Sequence, residues 1–165
     1  MKTLILLRHA KSSWKDIGSA DFDRPLNERG RRAAPFMGRL LRDRGVEPEL
    51  IISSPAKRAR KTAKLFREAG EFDAEIIYEE RIYEAAPGTL LQVVTQADNE
   101  LRSLMLVGHN PGMEGLIQVL TGRIEPMPTA AVAVIEVAAD NWADVSSAGA
   151  RLQMILRPRD EMDHS

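Results

Sequence analysis

Two arginines and two histidines carry the chemistry that this sequence suggests. Arg8 and His9 follow directly on the apolar run Thr3 to Leu7. Ser53, Ser54 and Pro55 close the run that begins at Leu50 and lead to Arg58, and Gly108, His109 and Asn110 follow on Ser103 to Val107. The chain has only three histidines, and two of them stand at such run ends. Phosphoryl transfer asks a protein mainly for positioning and positive groups, because its transition state spreads negative charge over the equatorial oxygens. Guanidinium groups offer paired N–H donors to phosphate oxygens. A histidine in line attacks phosphorus only as the neutral imidazole, a state that neighbouring guanidinium groups favour by lowering its pKa. His9 is the expected nucleophile, and water would hydrolyse the resulting phosphohistidine.

The elements that must bring these residues together are legible from the apolar runs. Thr3 to Leu7, Leu50 to Ser53 and Ser103 to Val107 are rich in Leu, Ile and Val and stop at polar or turn residues, as buried strands do; Glu75 to Tyr78 is a weaker fourth. Stretches with helical spacing separate them, so the fold class is α/β: a three-layer α/β/α domain on a mainly parallel sheet. In such sheets ligands bind beyond the carboxyl ends of the strands, which is where Arg8, His9, Arg58 and His109 would gather.

A first helix is expected from an N-cap at Asn27 to about Arg44, with Pro35 kinking it and Gly45 closing it. A second should be capped by Ser54, with Pro55 in the first helical position and Gly70 at the end. Arg58 in its first turns should lean back toward the strand ends. Lys57, Arg58, Arg60 and Lys61 crowd the positive end of that helix, which is unfavourable unless an anion is bound. A third helix is expected from Leu90 to about Ala97 and a fourth from Pro111 to Leu120, ended by Gly122. Ala131 to Val137 and Arg151 to Leu156 then form an antiparallel hairpin at a sheet edge. The domain is placed at residues 1–157, followed by a polar, frayed tail at 158–165 that holds His164.

Composition narrows the function. At 165 residues the chain is about one domain, with 44% hydrophobic and 28% charged residues and a formal net charge of −1, so no global field favours nucleic acid or membrane. The absence of cysteine removes disulfides, thiolate metal sites and cysteine nucleophiles. The short apolar start suits neither a signal peptide nor a membrane span, and a cytoplasmic location is the default. Asp21 and Asp23 lack companion ligands, so no metal and no other cofactor is expected; they read as loop caps or contacts to Arg24. Trp14 reads as packing or pocket rim. Lys11, Ser12 and Ser13 can donate to phosphate or substrate, or simply meet solvent, and Asn110 is a candidate substrate contact beside His109.

These segments resemble the histidine phosphatase superfamily. "LLRHAKSS" is similar to its Arg-His-Gly motif, "SSPAKRARKTA" to its arginine-bearing second motif and "LVGHNPGME" to its second-histidine motif, while "DFDRPLNERG" matches the lead into the first helix. Within the superfamily, the length, "RHAKSSW" and "DRPLNERG" look most like the SixA branch of phosphohistidine phosphatases. The resemblance covers about residues 4 to 120. It implies a nucleophile at His9, phosphate contacts from Arg8, Arg58 and His109, and a substrate-side contact from Arg24. Ala10 replaces the usual glycine, which matters only if the backbone there needs a positive φ.

Many relatives use a carboxylate after the third strand as general acid, and Glu84 is the first candidate for that place here, with Glu80 second. An imidazole leaving group, with a pKa of about 6.5, needs less protonation than an alkoxide, so a weakly specified acid suits a phosphohistidine substrate. The absence of a long lid insertion suits a side chain on another protein. The partner would be a phosphorylated protein or a small phosphate ester, and a monomer is the expected state. A small-molecule phosphomonoesterase is the first alternative, and a non-catalytic phosphate-binding module the second.

Overall fold

The computed structural model describes residues 1–14 and 20–162. Six strands form one sheet in the order β3-β2-β4-β1-β5-β6. They are β1 (Lys2–Arg8), β2 (Leu50–Ser53), β3 (Glu75–Tyr78), β4 (Ser103–Gly108), β5 (Val132–Val137) and β6 (Ala150–Leu156). β1, β4, β2 and β3 run parallel, while β5 is antiparallel to β1 and β6 antiparallel to β5, so the expected hairpin does form one edge. The α/β class read from the sequence is the observed one.

Alternation along the central strands explains the layers, because successive side chains leave opposite faces of a strand. Leu4 and Leu6 of β1, with Leu104 and Leu106 of β4, pack against α3 (Pro87–Thr95) and α4 (Gly112–Thr121). Ile5, Leu7, Met105 and Val107 pack on the other face against α1 (Glu28–Asp43) and α2 (Lys57–Gly70). Both faces are covered, so the centres of the two strands, Leu4–Leu7 and Leu104–Val107, are apolar at every position. Truncating one of these leucines to alanine is worth about 2–5 kcal/mol.

Several helix ends depart from expectation, each for a local reason. Asn27 does cap α1, accepting from the Gly30 amide at 2.9 Å, and Pro35 lies within the one continuous helix. α2 begins two residues later than expected, at Lys57 with Ala56 as N-cap, so Ser54 is not its cap. Gly70 is the last helical residue, but the left-handed position after it is Glu71 (φ 55°). α3 begins at Pro87, which needs no N–H in the first turn, and so starts earlier than the Leu90 expected. The tail is not simply frayed: Pro158–Met162 forms a short helix, α5, whose Pro158 is buried and whose Glu161 pairs with Arg44, the residue that follows α1. His164 lies outside the described residues.

One close approach fixes the loop after β1. A side-chain methyl at Gly30 would overlap the Lys11 carbonyl oxygen, so glycine lets the start of α1 lie directly on the backbone that follows His9.

Candidate active site

β1 and β4 are adjacent and parallel, with Arg8 paired to Gly108 in register, so their next residues emerge side by side. His9 and His109 consequently face each other, with ring centroids 5.1 Å apart. Both are buried, at 6% and 8% exposure. Arg58, 5% exposed, reaches back from the first turn of α2 and brings its Nη2 within 3.4 Å of His109 Nδ1. The residues separated most widely in sequence thus share one small space at the carboxyl ends of the strands.

The hydrogen bonds fix which nitrogens carry protons. His9 Nδ1 lies 2.8 Å from the Ala10 carbonyl oxygen, which can only accept, so the proton sits on Nδ1 and the lone pair on Nε2. Burial lowers the His9 pKa to about 3, with His109, Arg58 and Arg8 adding to the effect against the Ala10 hydrogen bond. At His109, Arg58 can only donate, so Nδ1 accepts and Nε2–H donates to Ser54 Oγ at 2.7 Å. Burial, followed by the Arg58 charge, lowers the His109 pKa to about 4. Both imidazoles are neutral near pH 7.

The guanidinium groups are held by their outer nitrogens. Arg58 Nη1 donates to the Asp21 carbonyl at 2.7 Å and its Nη2 to Asp21 Oδ2 at 3.1 Å; Arg8 Nη1 donates to the Met127 carbonyl at 3.0 Å. The Nε atoms of Arg8 and Arg58 are buried with no hydrogen-bond partner. A buried donor without a partner is costly, and an oxyanion between these arginines would satisfy it.

The loop after β1 is tied down from below and above. The Ala10 amide donates to Thr62 Oγ1 of α2 at 2.9 Å, and the Ala130 amide is shared between the Arg8 and His9 carbonyls at 3.1 Å each. Ala130 adopts a left-handed conformation (φ 63°) to do so, at a cost of order 1–3 kcal/mol that the surrounding contacts offset. Ala10 is not among the described residues with positive φ, so alanine in place of glycine there carries no backbone penalty.

The remaining sequence candidates divide. Arg24 is 8% exposed, donates to Ser12 Oγ at 2.6 Å and to Asp21 Oδ1, and stacks 3.5 Å from the ring centre of the exposed Trp14. Ser12 therefore supports Arg24. Lys11 is exposed and lines an open cleft together with Arg8. Asn110 turns aside: its amide donates to the Met127 carbonyl and its oxygen accepts from the Glu114 amide, a structural role. Glu84 is exposed with a left-handed backbone (φ 54°), next to Tyr83, and Glu80 is exposed in the preceding 3-10 turn.

Sequence reasoning missed three residues. Ser54 orients His109. Asp21 binds both Arg24 and Arg58, and accepts from Tyr83 Oη at 2.6 Å, a bond that does most to lower its pKa, to about 2. Tyr83 packs edge-on to His109 at 5.5 Å, and the Asp21 bond raises its pKa to about 12. The run Asp21, Phe22, Asp23, Arg24 signalled an anchored turn but not its distant partners. Among the described residues no group of His, Asp and Glu is arranged to hold a metal ion.

Comparison with known proteins agrees with this geometry. Residues 4–105 match the family model of the histidine phosphatase superfamily (branch 1). An uncharacterized protein of Mycobacterium tuberculosis (strain ATCC 25618 / H37Rv) is 38% identical over 164 residues, covering 93% of this chain and 100% of that one. The crystal structure of the candidate phosphohistidine phosphatase SixA from Agrobacterium tumefaciens superposes with a TM-score of 0.82 at 35% identity, covering 95% of this chain and 98% of that one. A 2,3-bisphosphoglycerate-dependent phosphoglycerate mutase of Streptomyces avermitilis is 41% identical over 70 residues, 41% of this chain and 28% of that enzyme. The family match spans more than half of the chain and includes Arg8, His9 and Arg58, and on that ground the chain belongs to the histidine phosphatase superfamily, as a member of SixA type.

Proposed function

We propose that this chain is a metal-independent protein phosphohistidine phosphatase with His9 as its nucleophile. The observation that carries the reading is the state of His9: buried, neutral, with Nδ1–H held by the Ala10 carbonyl and the Nε2 lone pair free beside Arg8, Arg58 and His109. Nε2 attacks phosphorus as the substrate N–P bond breaks. The substrate ring, protonated on the nitrogen that does not bear phosphorus, departs as neutral imidazole and keeps the bond pair as a lone pair on the other nitrogen. Arg8 and Arg58 neutralise the equatorial oxygens, with the neutral ring of His109 packed beside them. Water then attacks phosphorus, inorganic phosphate departs, and the Nε2 lone pair is restored.

The choice of phosphohistidine rests on the acid side. The phenol facing His109 belongs to Tyr83, whose proton is committed to Asp21 and whose pKa is pushed up to about 12, so it is a poor proton donor to a leaving alkoxide. Glu84 is exposed rather than set into the site. An imidazole leaving group tolerates this arrangement and an alkoxide does not. A small-molecule phosphomonoesterase is the second reading, favoured by the segment shared with phosphoglycerate mutases.

The test has two arms. Rapid-quench mass spectrometry should find phosphate on His9 of the wild type, with His9→Ala giving neither label nor turnover. A substrate panel should show rapid release from phosphohistidine proteins and slow turnover of sugar phosphates. The reverse ranking sinks the substrate assignment, and an active His9→Ala sinks the mechanism.

A further inference from the structure

The helical turn that opens α1, the start of α5 and the loop before β5 leave an open cleft of about 610 Å3 beside the phosphate site. Arg8, Lys11, Arg29 and Arg159 line it with Pro128 and Thr129, and no carboxylate does. Arg8 belongs to both places, since its charge acts on His9 while its side chain walls the cleft.

The cations of the rim are set apart by their place beside the phosphate site. Arg24, Arg32, Arg42, Arg44, Arg58 and Arg81 each pair with a carboxylate, as do others across the surface. Lys11, Arg29 and Arg159 are exposed and have no such partner among the described residues, as is also true of Arg31, Lys57, Lys61 and Lys64 around a cleft between α1 and α2, but these three share their cleft with Arg8 of the phosphate site. In a chain of net charge −1 this is a local concentration of unneutralised positive charge, arriving from three separate elements. Their mutual repulsion is unfavourable in the free protein and is relieved by bound negative charge. The cleft is open, and no aromatic side chain lines it to stack a base. That combination fits the carboxylates of a protein surface, which remain partly solvated while they pair.

We propose that this cleft docks an acidic surface of the substrate protein, so that aspartate and glutamate side chains flanking the phosphohistidine lie on Lys11, Arg29 and Arg159 while the phosphoryl group reaches His9. The inference rests on the phosphohistidine reading above. Charge pairs at such a rim act mainly on encounter and respond to salt.

The test uses a phosphorylated histidine-containing phosphotransfer domain with acidic residues around its phosphohistidine, and free phosphohistidine as the small substrate. The double variant Arg29→Glu with Arg159→Glu should raise KM for the phosphodomain roughly tenfold or more and flatten its salt dependence, with kcat/KM for free phosphohistidine unchanged. Neutralising the domain's flanking carboxylates should abolish the difference between variant and wild type. An unchanged KM for the phosphodomain overturns the docking cleft while leaving the phosphatase reading intact. So does a KM raised instead by Lys61→Glu with Lys64→Glu on α2, or a loss confined to a small bisphosphate. A wild type inert toward both phosphohistidine substrates is the separate failure of the underlying function.

Discussion

His109 Nε2 lies 2.7 Å from Ser54 Oγ, and this bond joins the end of β4 to the end of β2 directly beneath the candidate phosphate site. The strands are paired neighbours, so the bond spans no flexible segment. It fixes both the tilt of the His109 ring and its tautomer, leaving Nδ1 toward Arg58.

Ser54→Ala should therefore damage the reaction more than binding. Losing the acceptor leaves a buried N–H unpaired, worth about 1–3 kcal/mol of stability. It also lets the ring turn and the tautomer change. The expected outcome is a fall in kcat of roughly tenfold to a hundredfold with a nearly constant KM for phosphohistidine, in the range of a lost positioning contact. Steady-state kinetics with thermal unfolding of the same variant checks it. A KM effect alone would count against the orienting role.

The depressed histidines set a pH dependence whose sign is fixed. His9 and His109 have native pKa values of about 3 and 4, below the ordinary 6.5, so between those limits the unfolded chain binds more protons than the native one. Stability is complete above about pH 6.5 and falls as pH drops toward 4 and 3. Asp21, at about 2, acts in the same direction, with its contribution lost as pH falls from its ordinary value near 3.8. Denaturant unfolding across this window, with NMR titration of the two imidazoles, should show a decline that is shallower in His9→Ala. An imidazole of His9 that protonates near pH 6.5 would contradict the buried neutral state.

How far the sequence carries depends on the range of the interaction. The strands and the placing of Arg8, His9, Arg58 and His109 at one edge follow from runs of apolar residues and the rule for parallel sheets, both local signals. Ser54 shows the limit. Serine before proline reads as a helix cap, yet the histidine 55 positions away takes its hydroxyl, and α2 starts at Lys57 under Ala56 instead. Asp21 is the same case: its contact with Arg24 is three residues away and was legible, whereas those with Arg58 and Tyr83, 37 and 62 residues away, were not. The bond of Asn110 to the Met127 carbonyl was not legible either, because Met127 comes from a loop with no periodicity to locate it.

Asp21 positions Arg58 through two separate oxygens, its own carbonyl and its carboxylate. Asp21→Asn keeps the first contact and weakens the second, while it removes the charge that raises the Tyr83 pKa. The phenol should then titrate closer to 10 by ultraviolet difference spectroscopy, and kcat should fall severalfold as Arg58 loosens. Arg58→Ala, which removes the charge partner itself, should cost roughly two to four orders of magnitude in kcat. If Asp21→Asn were as damaging as Arg58→Ala, the aspartate would have to act on the substrate directly.

Glu84 separates the two leaving-group chemistries. Its side chain is exposed, its backbone is left-handed (φ 54°) just after the 3-10 turn, and its charge acts on the neighbouring Tyr83 beside His109. If a carboxyl there protonates an alkoxide, Glu84→Gln should slow an alkyl phosphate by roughly a hundredfold, the size of a general-acid contribution. Phosphohistidine, whose imidazole departs without that help, should slow by less than a few fold. Equal slowing of both substrates would make Glu84 a contact rather than an acid. No slowing of either would move the acid role to Glu80 or to solvent, and Glu80→Gln measured on the same two substrates distinguishes these.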